Sequence, residues 1–188
     1  MVINQVLIKV VRHIKHWHVL FVLGGYEQTI TDKINQLSEE VEVEAFLPKV
    51  QKAFRKKGQV KVEEHLLFKN YVFVQTNLDY KEFSAFLVAN IKSITGFIKL
   101  LKHDNEGTES LYPQEREFLE RITNKNKVIE QSIGFIEGEK VVILQGPLAG
   151  YESSIVNINR HKRVAILEIS MFGETRKVEV GLEIISKT

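Results

Sequence analysis

EKVVILQGPLAGYESSIVNINRHKRVAILEISMFGETRKVEVGLEII, residues 139–185, is the stretch on which the fold turns. Short runs rich in branched apolar residues alternate with turn-forming segments, GPLAG (146–150), RHKR (160–163) and GETR (173–176). No run carries helical spacing, so the pattern predicts strands joined by tight reversals, as in a small β-barrel. Glycine supplies the positive φ angles such reversals need, and proline presets φ near about −65°. The barrel is expected over 135–188.

Upstream the pattern is mixed. WHVLFVL (17–23) ends at Gly24-Gly25 and reads as a buried strand stopped by a turn. Tyr26, Ile30, Ile34 and Leu37 then recur at helical spacing. VEVEAFLP (41–48) alternates like a strand and stops at proline, and the basic segment from Lys49 to Lys61 reads as a hairpin with a charged tip. HLLFKNYVFVQTN (65–77) reads as one strong central strand, the stretch 80–91 as a helix, ITGFIKLL (94–101) as a further strand, and LYPQEREFLERI (111–122) as a helix begun at Pro113. The polar stretch 124–134 is the linker candidate. The fold class expected is α+β: an N-terminal domain over 17–123 with an antiparallel sheet and helices, a linker, and the barrel. Residues 1–16 form an extension with no assigned role.

Composition narrows the function. There are no cysteines, which excludes disulfides, thiolate catalysis and cysteine-ligated metal, and fits a reducing cytoplasm. No apolar run approaches the ~18 residues of a membrane span. The six histidines have no metal-site spacing, and no phosphate-cradling or nucleophile-elbow motif occurs, so neither an enzyme nor a cofactor is expected. A metal-dependent nuclease is a remote alternative, and the chain is expected to be a monomer.

A net charge of +2 is too small to argue for polyanion binding, so the argument rests on where the charges gather. Over 135–188 seven basic residues (140, 160, 162, 163, 176, 177, 187) meet seven glutamates (137, 139, 152, 168, 174, 179, 183). Arg160, His161, Lys162 and Arg163, and again Arg176 and Lys177, fall at reversals, where they are expected to converge on one rim with Gly146, Gly150 and Tyr151. In the hairpin, Lys52, Arg55, Lys56 and Lys57 belong to a segment without an acidic residue, suited to phosphates of upstream or non-template DNA or simply to solvent.

Four blocks carry a family resemblance: WHVLFVLGGYE, LFKNYVFV, TGFIKLL, and GPLAGYE with the later MFGETRKVEV. In order and spacing they resemble the NusG family of transcription elongation factors, from Trp17 to about Ile185. The resemblance implies an NGN domain that docks on the clamp helices of RNA polymerase, a flexible linker and a KOW barrel. It implies polymerase contacts at Trp17, Phe21, Phe68, Tyr71, Phe73 and Phe97. Strand alternation sets Phe68 and Val72 on the face opposite Tyr71 and Phe73, so some of these rings are expected to be core.

Lys69-Asn70 stands where housekeeping members usually carry Pro-Gly, and with Ser153 and NRHKRVAILEI it makes the chain similar to LoaP-type antiterminators. That implies an operon-specific factor whose barrel binds a nascent RNA hairpin through the basic rim, with Tyr151 stacking on a base. The alternative is a general elongation factor coupling polymerase to the ribosome or a termination factor by protein contacts. There Phe172 matches an apolar contact position; otherwise it is core.

Overall fold

The computed structural model describes residues 16–38, 41–56, 59–102 and 111–187. The extension at 1–15 and Lys57 therefore lie outside the described residues, as do the side chains of Arg55 and Lys56. In chain order the elements are β1 (His16–Val22), α1 (Glu27–Gln36), β2 (Val43–Phe46), β3 (Lys49–Lys56), β4 (Gln59–Leu66), β5 (Tyr71–Thr76), α2 (Tyr80–Asn90) and β6 (Phe97–Leu100). There follow α3 (Pro113–Ile122), β7 (Val128–Ile129), β8 (Ser132–Glu137), β9 (Lys140–Gln145), a 3₁₀ turn (Glu152–Ser154), β10 (Ile155–Asn159), β11 (Val164–Met171) and β12 (Glu174–Lys187).

β1 and β5 lie at the centre of a four-stranded sheet ordered β2-β5-β1-β6, and their antiparallel register sets Trp17 opposite Gln75, Val19 opposite Phe73 and Phe21 opposite Tyr71. Because side chains alternate across a strand, this register sends Leu20, Val22, Val72 and Val74 to one face and Trp17, Val19 and Phe73 to the other. The first face is covered by α1 and α2, through Ile30, Ile34, Phe83 and Leu87. α2 starts at a capping box in which Glu82 N–H donates to Asp79 Oδ1 (2.8 Å) and Asp79 N–H to Glu82 Oε2 (2.9 Å). The second face is covered by α3 and the C-terminal strands, through Leu119, Ile122, Leu148, Leu167 and Val180.

Two expectations are corrected by the backbone. HLLFKNYVFVQTN is two strands, because the chain turns between Leu66 and Tyr71 with Asn70 in the left-handed region (φ 72°). Alternation does not carry through such a turn, so Phe68 returns to the face of Phe73, ring centroids 5.8 Å apart. The stretch 124–134 is not a featureless linker: Asn124 Oδ1 accepts the N–H groups of Asn126 and Val128 (2.9 and 3.1 Å), and β7 then adds in parallel to β3, pairing Val128 with Lys49 and Ile129 with Val50. β8 begins at Ser132, inside that stretch.

The β-rich C-terminal region is a sheet ordered β10-β11-β12-β8-β9. Among the described residues its end strands β9 and β10 are not paired, so the closed barrel expected for 135–188 is not found. β12 crosses β3 so closely that a Cβ at Gly181 would lie 2.4 Å from the Gln51 carbonyl oxygen; only glycine admits that approach.

Candidate functional site

The face of the sheet carrying Trp17, Phe21, Phe68, Tyr71 and Phe73 gathers five of the six rings expected to meet the polymerase. Phe97 is the exception: it pairs with Val22 and packs with the helix-covered core, because β6 joins the sheet with a register shift at its Val22 partner. The gathered rings do not form an open surface. Trp17, Phe68 and Phe73 are buried, and Phe21 and Tyr71 are half-buried.

What covers Phe68, Tyr71 and Phe73 is the β11–β12 hairpin. Its turn residue Phe172 takes a left-handed backbone (φ 62°), which aims the ring down at the sheet. There it stacks on Tyr71 at 4.4 Å and meets Phe68 edge-on at 5.4 Å and Phe73 at 5.9 Å. The Arg176 guanidinium lies over both Phe172 (4.9 Å) and Tyr71 (5.6 Å) and pairs with Glu174 at 3.2 Å. Next to the turn, Gly173 N–H donates to Glu115 Oε1 (2.9 Å) while Tyr112 N–H donates to Glu115 Oε2 (3.1 Å), so one buried carboxylate both starts α3 and holds the hairpin.

Further along, Lys52 Nζ on β3 pairs with Glu179 Oε2 on β12 at 2.7 Å. The hydrogen bond and charge of Lys52, with a smaller pull from Lys162 and against burial, hold the Glu179 carboxyl below its ordinary pKa. Trp17 lies under two cations, Lys127 Nζ at 5.1 Å and the Arg116 guanidinium at 5.6 Å. Burial, helped by Arg116 and opposed by Glu44 and Glu120, pushes the Lys127 ammonium below its usual pKa.

The GPLAG reversal serves this packing. Gly146 (φ 107°) lies so near Ser132 that a Cβ would approach its Oγ to 2.6 Å, and the loop inserts fully buried Leu148 into the core, its N–H held by Ser132 Oγ (3.1 Å). Tyr151 turns its ring edge-on to Phe118 of α3 (5.5 Å), and Gly150 (φ 86°) has open space around it.

The single basic rim does not form. Arg160, His161, Lys162 and Arg163 make the turn before Val164 at one end of β11, whereas Arg176 and Lys177 pair with Ile169 and Glu168 near its other end. Hairpin register sets them roughly 15–20 Å apart along the strand. Three of them also have carboxylate partners: Arg163 with Glu183, Arg176 with Glu174, and Lys177 with Glu168 (3.9 Å). What lies beside the 160–163 turn is the β3–β4 hairpin, with Lys52 and His65. No group of three or more potential metal ligands occurs among the described residues. No helix among them is long and apolar enough to cross a membrane.

Sequence reading missed Glu115, Lys127, Leu148 and Glu179 as interface residues. Only Leu148 had a signal, an apolar residue inside a turn motif. The Lys69-Asn70 pair also takes on a different meaning. A left-handed Asn70 does the conformational work a glycine would do, and its N–H donates to Glu27 Oε1 (2.9 Å). Burial alone would raise the Glu27 pKa, but the N–H groups of Asn70 and Gly25, with Lys69 nearby, outweigh it and hold the carboxyl below its usual value.

The model of the family described as "Transcription termination factor nusG" matches residues 15–123, more than half of the 188. The chain is 25% identical over 178 residues to the transcription termination/antitermination protein NusG of Bacillus subtilis, covering 92% of this chain and 98% of that protein. It is 27% identical over 179 residues to the protein of that name from Lactococcus lactis, covering 88% and 89%. A solved structure described as "Domain interaction in Thermotoga maritima NusG" shares the fold, with a TM-score of 0.50 and 18% identity over 90% of this chain and 93% of that one.

Proposed function

Because the chain belongs to the NusG family, transcription elongation and termination factors that bind RNA polymerase and are not enzymes, we propose that it is a recruited, operon-specific elongation and antitermination factor. It engages the clamp helices of the polymerase through the face of Trp17, Phe21, Phe68, Tyr71 and Phe73. The observation that carries this reading is the seat of Phe172 on Tyr71, Phe68 and Phe73. Rigid rings clustered on one face are the usual source of affinity in a protein interface. Here they are occupied by the chain's own C-terminal region, so polymerase binds only when the β11–β12 hairpin is displaced, and its apparent affinity is reduced by the fraction of molecules in the closed arrangement.

A factor closed in this way favours recruitment at particular sites over constitutive association, which supports the specialised reading. The nascent RNA hairpin is assigned to the turn Arg160–Arg163, where Arg160, His161 and Lys162 are exposed, with Arg176 and Lys177 left to the interface.

The experiment is a polymerase pull-down and affinity titration with Phe172→Ala. This change keeps every ring of the sheet and removes the one ring seated on Tyr71, Phe68 and Phe73. Tighter binding than the parent chain is expected. Equal binding would mean that the face is not the polymerase site or is never closed, and the general coupling factor would then replace this reading.

A further inference from the structure

The two basic segments that the sequence sets far apart, the β3–β4 hairpin and the 160–163 turn, face each other across one recess of about 400 Å³. Its walls are Lys52, Phe54 and His65 on one side and His161, Lys162 and Arg163 on the other, and the Glu179 carboxylate, held by Lys52, also lines it. Lys52 and Arg163 are anchored by Glu179 and Glu183, which fixes their positions and neutralises part of their charge. Among the described residues Lys162, His161 and His65 have no ion-pair partner, and all three are exposed.

We propose that this recess is a composite site for the phosphodiester backbone of a single nucleic-acid strand, one that exists only while the C-terminal region is packed on the sheet. Its size falls in the range of small-ligand sites, which suits a single-stranded end or loop more than a duplex stem. Phosphate contacts from Lys162 on one wall and His65 on the other bracket the strand, with the Phe54 ring, partly exposed at the edge, available to a base. A ligand that touches both walls binds the packed arrangement and not the open one, so it shifts the population toward the packed form. By reciprocity, nucleic acid held here opposes exposure of the aromatic face. That last consequence rests on the polymerase reading above, but the site does not.

The test uses the full-length chain and no polymerase, so its failure is separate from failure of that reading. Labelled ten-nucleotide oligouridine and oligothymidine are titrated by fluorescence anisotropy between about 50 and 200 mM salt, against the parent chain and the variants Lys162→Gln, His65→Gln and Gly181→Ala. Gly181→Ala keeps every cation of the recess and drives β12 off the Gln51 carbonyl, so it separates the walls. If it fails to fold by circular dichroism, Phe172→Ala loosens the same packing from the other end of the hairpin.

The expected result is a several-fold loss with Lys162→Gln and with His65→Gln, and a loss at least as large with the separating variant. Lys162→Gln should also reduce the salt slope by about 0.7 for the one lost phosphate contact. Loss with Lys162→Gln alone would place binding on the C-terminal turn and overturn the composite site. Equal competition by polyglutamate would show a general anion surface and overturn the phosphodiester assignment. Equal affinity for the two oligomers identifies phosphate as the determinant, and a preference for uridine adds a contact to the 2′-hydroxyl.

Discussion

The two faces of the four-stranded sheet are built from the same strands by opposite means. The helix-covered face is mainly aliphatic and continuous, with Leu20, Val22, Val72 and Val74 against Ile30, Ile34, Phe83 and Leu87, all buried, and with His18 stacked on Phe83. The other face is aromatic and rimmed by polar groups. Trp17 lies beneath Lys127 and Arg116, Tyr71 beneath Arg176, and the covering hairpin is held through Glu115 and the Lys52–Glu179 pair. Aliphatic burial is non-directional and leaves nothing to offer water if it opens. Rings with charged neighbours can stand exposed at lower cost, since the cations and carboxylates regain hydration. The contrast teaches that one face is permanent core and the other is an interface between two parts of a single chain.

Four measurements would break or sharpen that contrast. Phe83→Ala empties a fully buried site in the helix layer and should cost about 3–5 kcal/mol of global stability in denaturant unfolding. A cost near zero would deny that this layer is the permanent core. Glu115→Gln can accept only one of the two N–H groups the carboxylate now holds, so it should cost about 1–3 kcal/mol. The loss should be read as faster exchange of the Gly173 amide while the helix layer keeps its protection. Uniform loss across both layers would mean that the hairpin is not separable.

Asn70→Val forces a branched residue into the left-handed region and should destabilise by about 1–2 kcal/mol, whereas Asn70→Gly should be close to neutral. Equal effects would show that the hydrogen bond from the Asn70 side chain to the Val22 carbonyl, and not the backbone angle, explains the residue.

The smallest effect concerns pH. The Glu179 carboxyl has its pKa lowered by Lys52 when the regions are packed, so its contribution is complete above the ordinary carboxylate value of about 4.3 and is lost as pH falls through the lowered value. Both side chains are partly exposed, at 26% and 48%, so less than about 1 kcal/mol is expected. Acidification should loosen the packing slightly in the parent chain and not in Lys52→Gln.

Most elements were readable because each is written in a local period. β1 ends at its glycine pair, α1 and α2 show their apolar stripes, α3 begins at Pro113, and the C-terminal strands are cut by turn residues. The misreadings share one cause. Asn70 breaks the strand that LLFKNYVFV seemed to continue, and no alternation rule reports a left-handed residue in advance. β7 is two residues long, below any periodicity, and forms only because β3 offers an edge to it. Phe97 reads like the other rings, but its side is set by how β6 joins β1.

The candidate site was legible as residue types and not as an arrangement. Of the six rings singled out, five share one face and Phe97 does not, and the cover over them was not foreseen, since nothing local in MFGETRK says that Phe172 meets Tyr71 across about a hundred residues. The same holds for the basic turns. Their charges are plain in the sequence, but hairpin register sends Arg160–Arg163 and Arg176-Lys177 to opposite ends of β11.

The sequence by itself determined most of the strands and helices, the absence of cysteine chemistry and the family blocks, because these depend on local periodicity and composition. Only the tertiary structure decided that the C-terminal region sits on the aromatic face and that two distant basic segments share one recess. Such contacts depend on shape and register between surfaces, which no short window of residues encodes.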